Sequence, residues 1–520
     1  MSKVWKVLAL LLVITALVWL TTLWRWQSAQ VNPDATQLLL QLALLPVLLT
    51  AALLGTVWSV KRLRAYAAAP AVVPAAKAAA AAPAATAPSA NAPAVPPRVL
   101  AAAVQLRSGA NWQDAQSRIA EGVCKAELDP AMKDDDGIAI FTAPVSDLVA
   151  DDIGEALSGI VATRRHALPA DWVEQVPAAE VLRALSLLNA VAGPMADAIE
   201  VHWPALAVPL PSQRAANGTP AHPPLLPPVV SIRVGIPARW PLPVRQLASV
   251  WLQDLFAPHI DAGLQAAGQS HAMASAARPA VQLHVHPVES AEAYWLLMEQ
   301  QLQQWQREKQ PGLLWAVVTD SLVGPDAVEQ LSRTRELFSG RHQQGRVPGE
   351  AAAGLLLASA AWRMPADADP PMALLHQASI ARRDKSADAS GRISSQTLMQ
   401  ALDDTLRGTA VDAALVQHLT TDADHRATRT AEVYEVTQEK LPHLDASQHA
   451  LRLGLGCGDT GVARLVACAA LTATQVQESQ APALLLATHS PFDRLSVLMA
   501  PPTPPTPPAS AAAPAAAQAA

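Results

Sequence analysis

A stretch from Gly312 to Ala358 constrains the fold more than any other part of the 520-residue chain. Its apolar run Leu313–Val318 ends in Thr319-Asp320-Ser321. A helical segment follows, with Leu322, Val328, Leu331 and Leu337 spaced for one face. A Gly/Pro loop, Gly345 to Gly349, then feeds a second apolar run, Leu355–Leu357. Short apolar runs bounded by Gly, Pro and Asp are buried-strand signals. The stretch therefore predicts strand, helix, loop and strand in an α/β core.

Two longer apolar runs precede it, Val7–Trp24 and Leu38–Val60, the second containing Pro46. Each is about long enough to cross a bilayer core of ~30 Å as a helix, and Pro is tolerated there. A secretory signal is the alternative for the first run, because Lys3 and Lys6 precede it. Trp24-Arg25-Trp26 stands where a small-residue cleavage site belongs, and the second run favours a hairpin. Lys3 and Lys6 precede the pair, and Lys61, Arg62 and Arg64 follow it. The loop between carries only Arg25 and Asp34. The positive-inside rule then puts both ends of the hairpin in the cytoplasm, as a two-helix anchor in an inner membrane.

Residues 65–98 are almost all Ala, Pro and Val, which suits a tether rather than a core. Extended at ~3.1 Å per residue, it reaches on the order of 100 Å. Residues 501–520 form a similar tail beginning PPTPPTPP, either a disordered end or a docking peptide in polyproline conformation. Between them, Val99–Ala500 alternates strand and helix signals twice. This predicts a duplicated α/β unit, with halves at 99–360 and 361–500. Among the expected elements are a strand at Ala414–Leu419, a strand at Ala450–Leu455 and a helix at Thr460–Leu471.

A net charge of −6 and the lack of a long Lys/Arg run give no reason to expect nucleic acid. The three cysteines, Cys124, Cys457 and Cys468, include no CxxC, which argues against a disulfide framework or a zinc ribbon. Asn217-Gly218-Thr219 is a glycosylation sequon by pattern alone.

The loop Gly345-Arg346-Val347-Pro348-Gly349-Glu350-Ala351-Ala352, with the strand and helix before it, resembles the end of the first half of a β-ketoacyl synthase, in the thiolase-like superfamily. Gly456-Cys457-Gly458-Asp459-Thr460-Gly461-Val462-Ala463 resembles the corresponding part of the second half. The resemblance covers about Val229–Ala500. It implies an α/β fold of two thiolase-like halves, layered α-β-α-β-α, and by analogy a homodimer. It also implies a site: a nucleophilic Cys at a helix N-terminus, with two histidines.

The chain departs from that site. Ser290 stands where the resemblance puts the nucleophile, and a Ser in that place is more often an N-cap. His418 stands near the first histidine without its Gly-Thr, and Glu432 or Glu435 matches the downstream acid. Asp459 stands at the second histidine, and an ionised carboxylate donates nothing to an oxyanion. Ser490-Pro491-Phe492-Asp493 replaces the closing Gly-rich turn. The resemblance therefore implies a relative without the chemistry, acting as a membrane-anchored scaffold or adaptor. Such relatives occur beside bacterial secretion genes, type VI loci included, which makes a secretion effector a candidate partner. The alternatives are an acyltransferase or condensing enzyme with another nucleophile, and an acyl-ligand sensor.

Three further patterns are weighed. Gly456 to Gly461 satisfies GxGxxG, but Asp459 would face the pyrophosphate, so a tight turn is the better reading and no cofactor is expected. His284 and His286 share one strand face as metal ligands would, yet no third ligand is near in sequence, and two hydrogen-bonded histidines are expected. His489 beside Asp493 resembles part of a triad, without a nucleophile elbow.

The charge distribution makes one outcome testable. A reporter active only outside the cytoplasm, fused after Ala500, should give no signal. A strong signal would reverse the expected topology.

Overall fold

The structure is a computed structural model. It describes residue 19 and residues 95–164, 177–207, 226–268, 280–389, 391, 393–409 and 411–502. The chain divides into two compact units, Met1–Ala90 and Asn91–Ala520. The second unit holds every described residue from 95 onward. Apart from residue 19, both apolar runs, nearly all of the tether and the tail beyond residue 502 lie outside the described residues. Among the described residues, no helix is long and apolar enough to cross a membrane.

The first set of elements is β1 (Arg98–Gln105), α1 (Trp112–Ala120), a hairpin of β2 (Glu127–Lys133) and β3 (Ala139–Thr142), α2 (Asp151–Arg164), α3 (Ala179–Glu200), β4 (Val229–Pro237), α4 (Leu242–Ala266), β5 (Val281–Val288), α5 (Ala291–Glu308), β6 (Gly312–Ser321), α6 (Pro325–Arg333) and β7 (Glu350–Ala358). The second is β8 (Ala373–Leu375), β9 (Ser379–Arg382), α7 (Gln396–Thr409), β10 (His418–Thr421), α8 (Ala427–Lys440), α9 (Ala446–His449), β11 (Ala450–Arg452), α10 (Leu453–Cys457), α11 (Arg464–Ser479), β12 (Ala483–Ala487) and β13 (Asp493–Ala500).

Apart from the β2–β3 hairpin, the strands form one mixed sheet in the order β11-β10-β12-β13-β8-β1-β7-β6-β4-β5, with β9 paired to β13. That order contains the same pattern twice. In the first set β4, β5 and β6 are parallel, with β4 between the other two; β7 is antiparallel to β6, and β1 to β7. In the second set β10, β11 and β12 repeat the parallel trio, β13 is antiparallel to β12, and β8 to β13. The two sets join where β8 pairs β1.

Three apolar cores account for the layering. One lies between the two sets and gathers α5, α11 and strand residues from both. A second lies outside the first set, under α2, α3 and α4. A third lies outside the second set, under α7 and α8. Helices thus cover both faces of the sheet. For that reason β6 and β7 are buried at every residue, and their sequences run apolar without alternation. Twelve of the sixteen residues of α11 are buried, as a helix in a middle layer requires.

Several boundaries differ from the sequence-based expectation. The strand expected at Ala414–Leu419 begins only at His418, because the Asp412 carboxylate accepts a hydrogen bond from the Ala414 amide (3.0 Å) and winds Ala413–Leu415 into a 3-10 turn. The strand expected at Ala450–Leu455 stops at Arg452, and residues 453–457 turn helical. The helix expected from Thr460 opens with a 3-10 turn, Gly461–Ala463, before α11 proper. Of the β2–β3 hairpin, only β2 had no sequence signal: it carries a Pro and exposed charges, and it pairs on only one side.

The Gly/Pro loop owes its glycines to close backbone approach. A Cβ on Gly349 would lie 1.9 Å from the Cys457 carbonyl oxygen. That neighbour is backbone and cannot rotate away. Gly349→Ala should therefore destabilise the fold by about 2–3 kcal/mol, the upper range of overpacking. Urea denaturation would measure it; an unchanged midpoint would contradict the close approach.

Candidate functional site

The parallel strands of both sets end on one side of the central layer, where α5 and α11 begin. A cavity of about 360 Å³ opens there, lined among others by Arg239, Ser290, Glu292, Arg346, Arg464 and His489. Strand ends and helix starts leave backbone groups unpaired, so such a place gathers polar side chains.

Asp320 is the penultimate residue of β6 and is fully buried. Arg239 grips it through both guanidinium nitrogens, one at 2.8 Å from Oδ2, and also donates to the Ser321 carbonyl (2.7 Å). The Val462 amide donates to Asp320 Oδ2 (2.9 Å). The first strand set thus holds the turn that starts α11. Glu350, which opens β7, is treated alike. Arg183 pairs with both of its oxygens, the Ser321 hydroxyl donates to Oε2 (2.8 Å), and the Val145 amide donates to Oε1 (2.7 Å).

Arg464 is the first residue of α11. Its Nη2 lies 2.7 Å from Glu292 Oε1, in the first turn of α5, and its Nε lies 2.9 Å from Asp422 Oδ2, just past β10. Burial opposes the charge on Arg464, but Glu292, Asp422 and Asp459 together push its pKa above the ordinary value. Asp422 also accepts the Thr488 and His489 amides, at 2.6 and 3.1 Å.

Asp459 lies against Arg346 Nη1 (2.9 Å) and Arg464 Nη1 (3.6 Å), and it accepts the Gly461 amide (2.9 Å). Burial alone would raise its pKa. The hydrogen bond from His489 and the charges of Arg346 and Arg464 outweigh burial and hold the carboxyl well below the usual range. Nδ1 of His489 faces the Arg426 guanidinium at 3.2 Å, so it accepts, and the proton belongs on Nε2, 3.3 Å from Asp459 Oδ2. Burial, with Arg464 and Arg426, lowers the pKa of His489 and keeps the ring neutral, although Asp459 pulls the other way.

The structure brings two of the three expected site positions to this cavity region. Ser290 lines the cavity as the N-cap of α5, its hydroxyl accepting the Ala293 amide (3.1 Å). Asp459 joins the ion pairs at its edge. His418 is not with them. It sits at the opposite end of β10, its Nε2 2.9 Å from the Gln475 side chain and its ring edge-on to Trp112. Glu432 is tied into buried pairs with Arg383 and Arg494, and Glu435 is exposed on α8. Residues 456–461 do not form a strand-to-helix phosphate loop, since Gly456 and Cys457 end a short helix.

All three cysteines are buried, and none lines the cavity. A hydrogen bond from Cys457 brings the Cys124 thiol down to about 7, with Arg107 and Arg118 assisting against burial. Cys457 is pushed well up by the same contact and by burial, and Cys468 by burial.

Sequence reasoning passed over Arg239, Asp320, Asp422 and Arg464. A signal was present: Asp320 and Asp422 are the first acids after apolar or Thr-rich strand runs, and Arg464 is followed by thirteen residues with no charge.

No protein family and no curated protein matches this sequence. Among solved structures, the chain is similar to a β-ketoacyl synthase from Burkholderia phymatum: 12% identity over 78% of this chain and 100% of that one, TM-score 0.47. It is also similar to the ishigamide ketosynthase/chain length factor, with 13% identity, 78% and 99% coverage and a TM-score of 0.45. An oxazolomycin ketosynthase domain from Streptomyces albus gives 11% identity, 79% and 75% coverage and a TM-score of 0.46. The chemistry of this chain is therefore read from its own residues.

The ion pairs around Asp459 predict a pH dependence. A carboxyl depressed in the fold contributes stability that is complete above its ordinary pKa of ~3.9 and is lost as pH falls through and below that value. Asp459→Asn should cost about 3 kcal/mol at pH 7, the scale of breaking a buried pair. The gap to the parent should narrow below about pH 4. Denaturation at pH 7, 5 and 3.5 measures it; a pH-independent gap would mean that Asp459 is not held ionised.

Proposed function

We propose that this chain is a ketosynthase-like protein of thiolase-like fold without the chemistry, serving as a membrane-anchored scaffold. The observation that carries the reading is the occupancy of the cavity region. Where α5 begins, the chain offers Ser290, already used as a cap, and no cysteine. Where donors would face a developing oxyanion, it places the carboxylates Asp320, Asp459 and Glu292, each bound to arginine. Carboxylates already paired with arginine offer an oxyanion no donor, and a single lost donor alone costs roughly 10²–10³ in rate.

The proposal includes an inner-membrane hairpin at residues 7–24 and 38–60, both termini in the cytoplasm, and a protein partner docked on the body. A homodimer and a secretion effector as cargo are the forms that the family resemblance suggests. The duplicated strand order supports the fold part of the reading, because two halves of one pattern are what the resemblance implies. The charge pattern of the sequence supports the anchor.

Incubation of the purified protein with radiolabelled acetyl- and malonyl-thioesters tests the central claim. No stable adduct and no condensation product should form. An acyl adduct that disappears in Ser290→Ala or Cys457→Ala would overturn the scaffold reading and identify the nucleophile.

A further inference from the structure

The edge strand β5 carries a feature that the proposed function does not use. It pairs with β4 on one side and with no other described strand. Its sequence, Val281-Gln282-Leu283-His284-Val285-His286, places His284 and His286 two residues apart and so on one face. The rings lie with centroids 6.0 Å apart and planes tilted by 31°. His284 is exposed, and its Nε2 makes a long contact of 3.3 Å with Gln282 Oε1. His286 is half-buried, and its Nε2 is shut off from water without a hydrogen-bond partner. A shielded, unpartnered imidazole nitrogen is costly unless something occupies it.

We propose that His284 and His286 form a binding site for a borderline transition-metal cation, of which Zn²⁺ and Cu²⁺ are examples, with water completing the coordination. Neutral imidazole is the ligand these ions prefer, at about 2.0–2.1 Å for zinc. Rings on one strand face with centroids 6.0 Å apart are near enough for both to reach one such centre once their side chains rotate. Burial, and then the nearby Arg233, lower the pKa of both histidines, so both are neutral and ligand-ready at pH 7. No third His, Cys, Asp or Glu joins them among the described residues, so the site is an open one. Arg233 works against the ion. Its guanidinium donates to Gln301 Oε1 and, at 3.5 Å, to the Leu297 carbonyl, and Arg233 stands beside His284 in the β4–β5 pairing, so its charge remains near.

The full-length protein is titrated with Zn²⁺ by calorimetry and with Cu²⁺ by electron paramagnetic resonance. One site should bind each ion, and the copper spectrum should show coupling to two imidazole nitrogens. His284→Ala and His286→Ala should each weaken that site by roughly tenfold or more. Arg233→Gln should tighten it, a response that no other histidine of the chain would share. Far-UV circular dichroism and melting check that each variant keeps its fold. Equal binding by the His284→Ala/His286→Ala double variant would overturn the assignment. So would coupling to one nitrogen only, or an Arg233→Gln variant that binds no tighter.

Discussion

The arrangement depends on Arg464. It begins the middle-layer helix of the second strand set, yet one of its partners, Glu292, belongs to the helix of the first set, and another, Asp422, directly follows a strand of the second. One guanidinium therefore fixes where the two halves meet. Its side chain is only 9% exposed, so water screens these contacts little. Removing a partner would leave a buried charge unpaired, a loss of about 3–5 kcal/mol, although the intact pair itself adds less than that to stability. The value of such a contact lies in geometry. A planar fork that binds one carboxylate through Nε and another through Nη2 tolerates little slip between the helices carrying them.

The same logic extends outward. Asp320 binds the Val462 amide across the junction, and Glu350 binds the Val145 amide within the first set. Each carboxylate sits at the end of a fully buried strand and is matched by an arginine reaching in from a less buried position: Arg239 for Asp320, Arg183 for Glu350. Charge thus holds loops and helix starts in place. A catalytic pocket needs unsatisfied donors and a free nucleophile. Here the arginines Arg239, Arg346 and Arg464 are already committed to carboxylates, and for that reason the fold and the proposed loss of chemistry follow from one set of contacts.

Much of the architecture was legible in the sequence. The apolar runs at β6, β7 and β12 carry no alternation because helices cover both faces, and periodicity alone exposes that. Ser290 was legible as a cap because Ser before Ala-Glu and an amphipathic run is a local signal, and it is bound as one. What failed was local competition. Asp412 diverted Ala414 and Leu415 from the expected strand, and Arg452 passed the chain into a short helix. The arginine–carboxylate pairs were illegible as pairs, because partners such as Arg464 and Glu292 stand 172 residues apart and only the tertiary fold brings them together. His418 was matched by its place in the chain, but it lies at the wrong end of a four-residue strand, where a shift of three positions moves a side chain about 10 Å.

The place of β1 in the sheet has a consequence for biosynthesis. Its pairing with β7 joins Arg98 to Ala358 and Gln105 to Ala352. A nascent chain emerging from the ribosome exposes β1 long before its partner exists. At about 5–20 residues per second, the wait is on the order of ten to fifty seconds. During that time an apolar segment with both edges unpaired stands open to chaperones and to mispairing. The second set waits about half as long: β8 pairs on one side with β1, already made, and on the other with β13, where Leu375 meets Met499 and Leu374 meets Ala500. The long wait makes translation speed across residues 105–350 a determinant of yield that no equilibrium contact records.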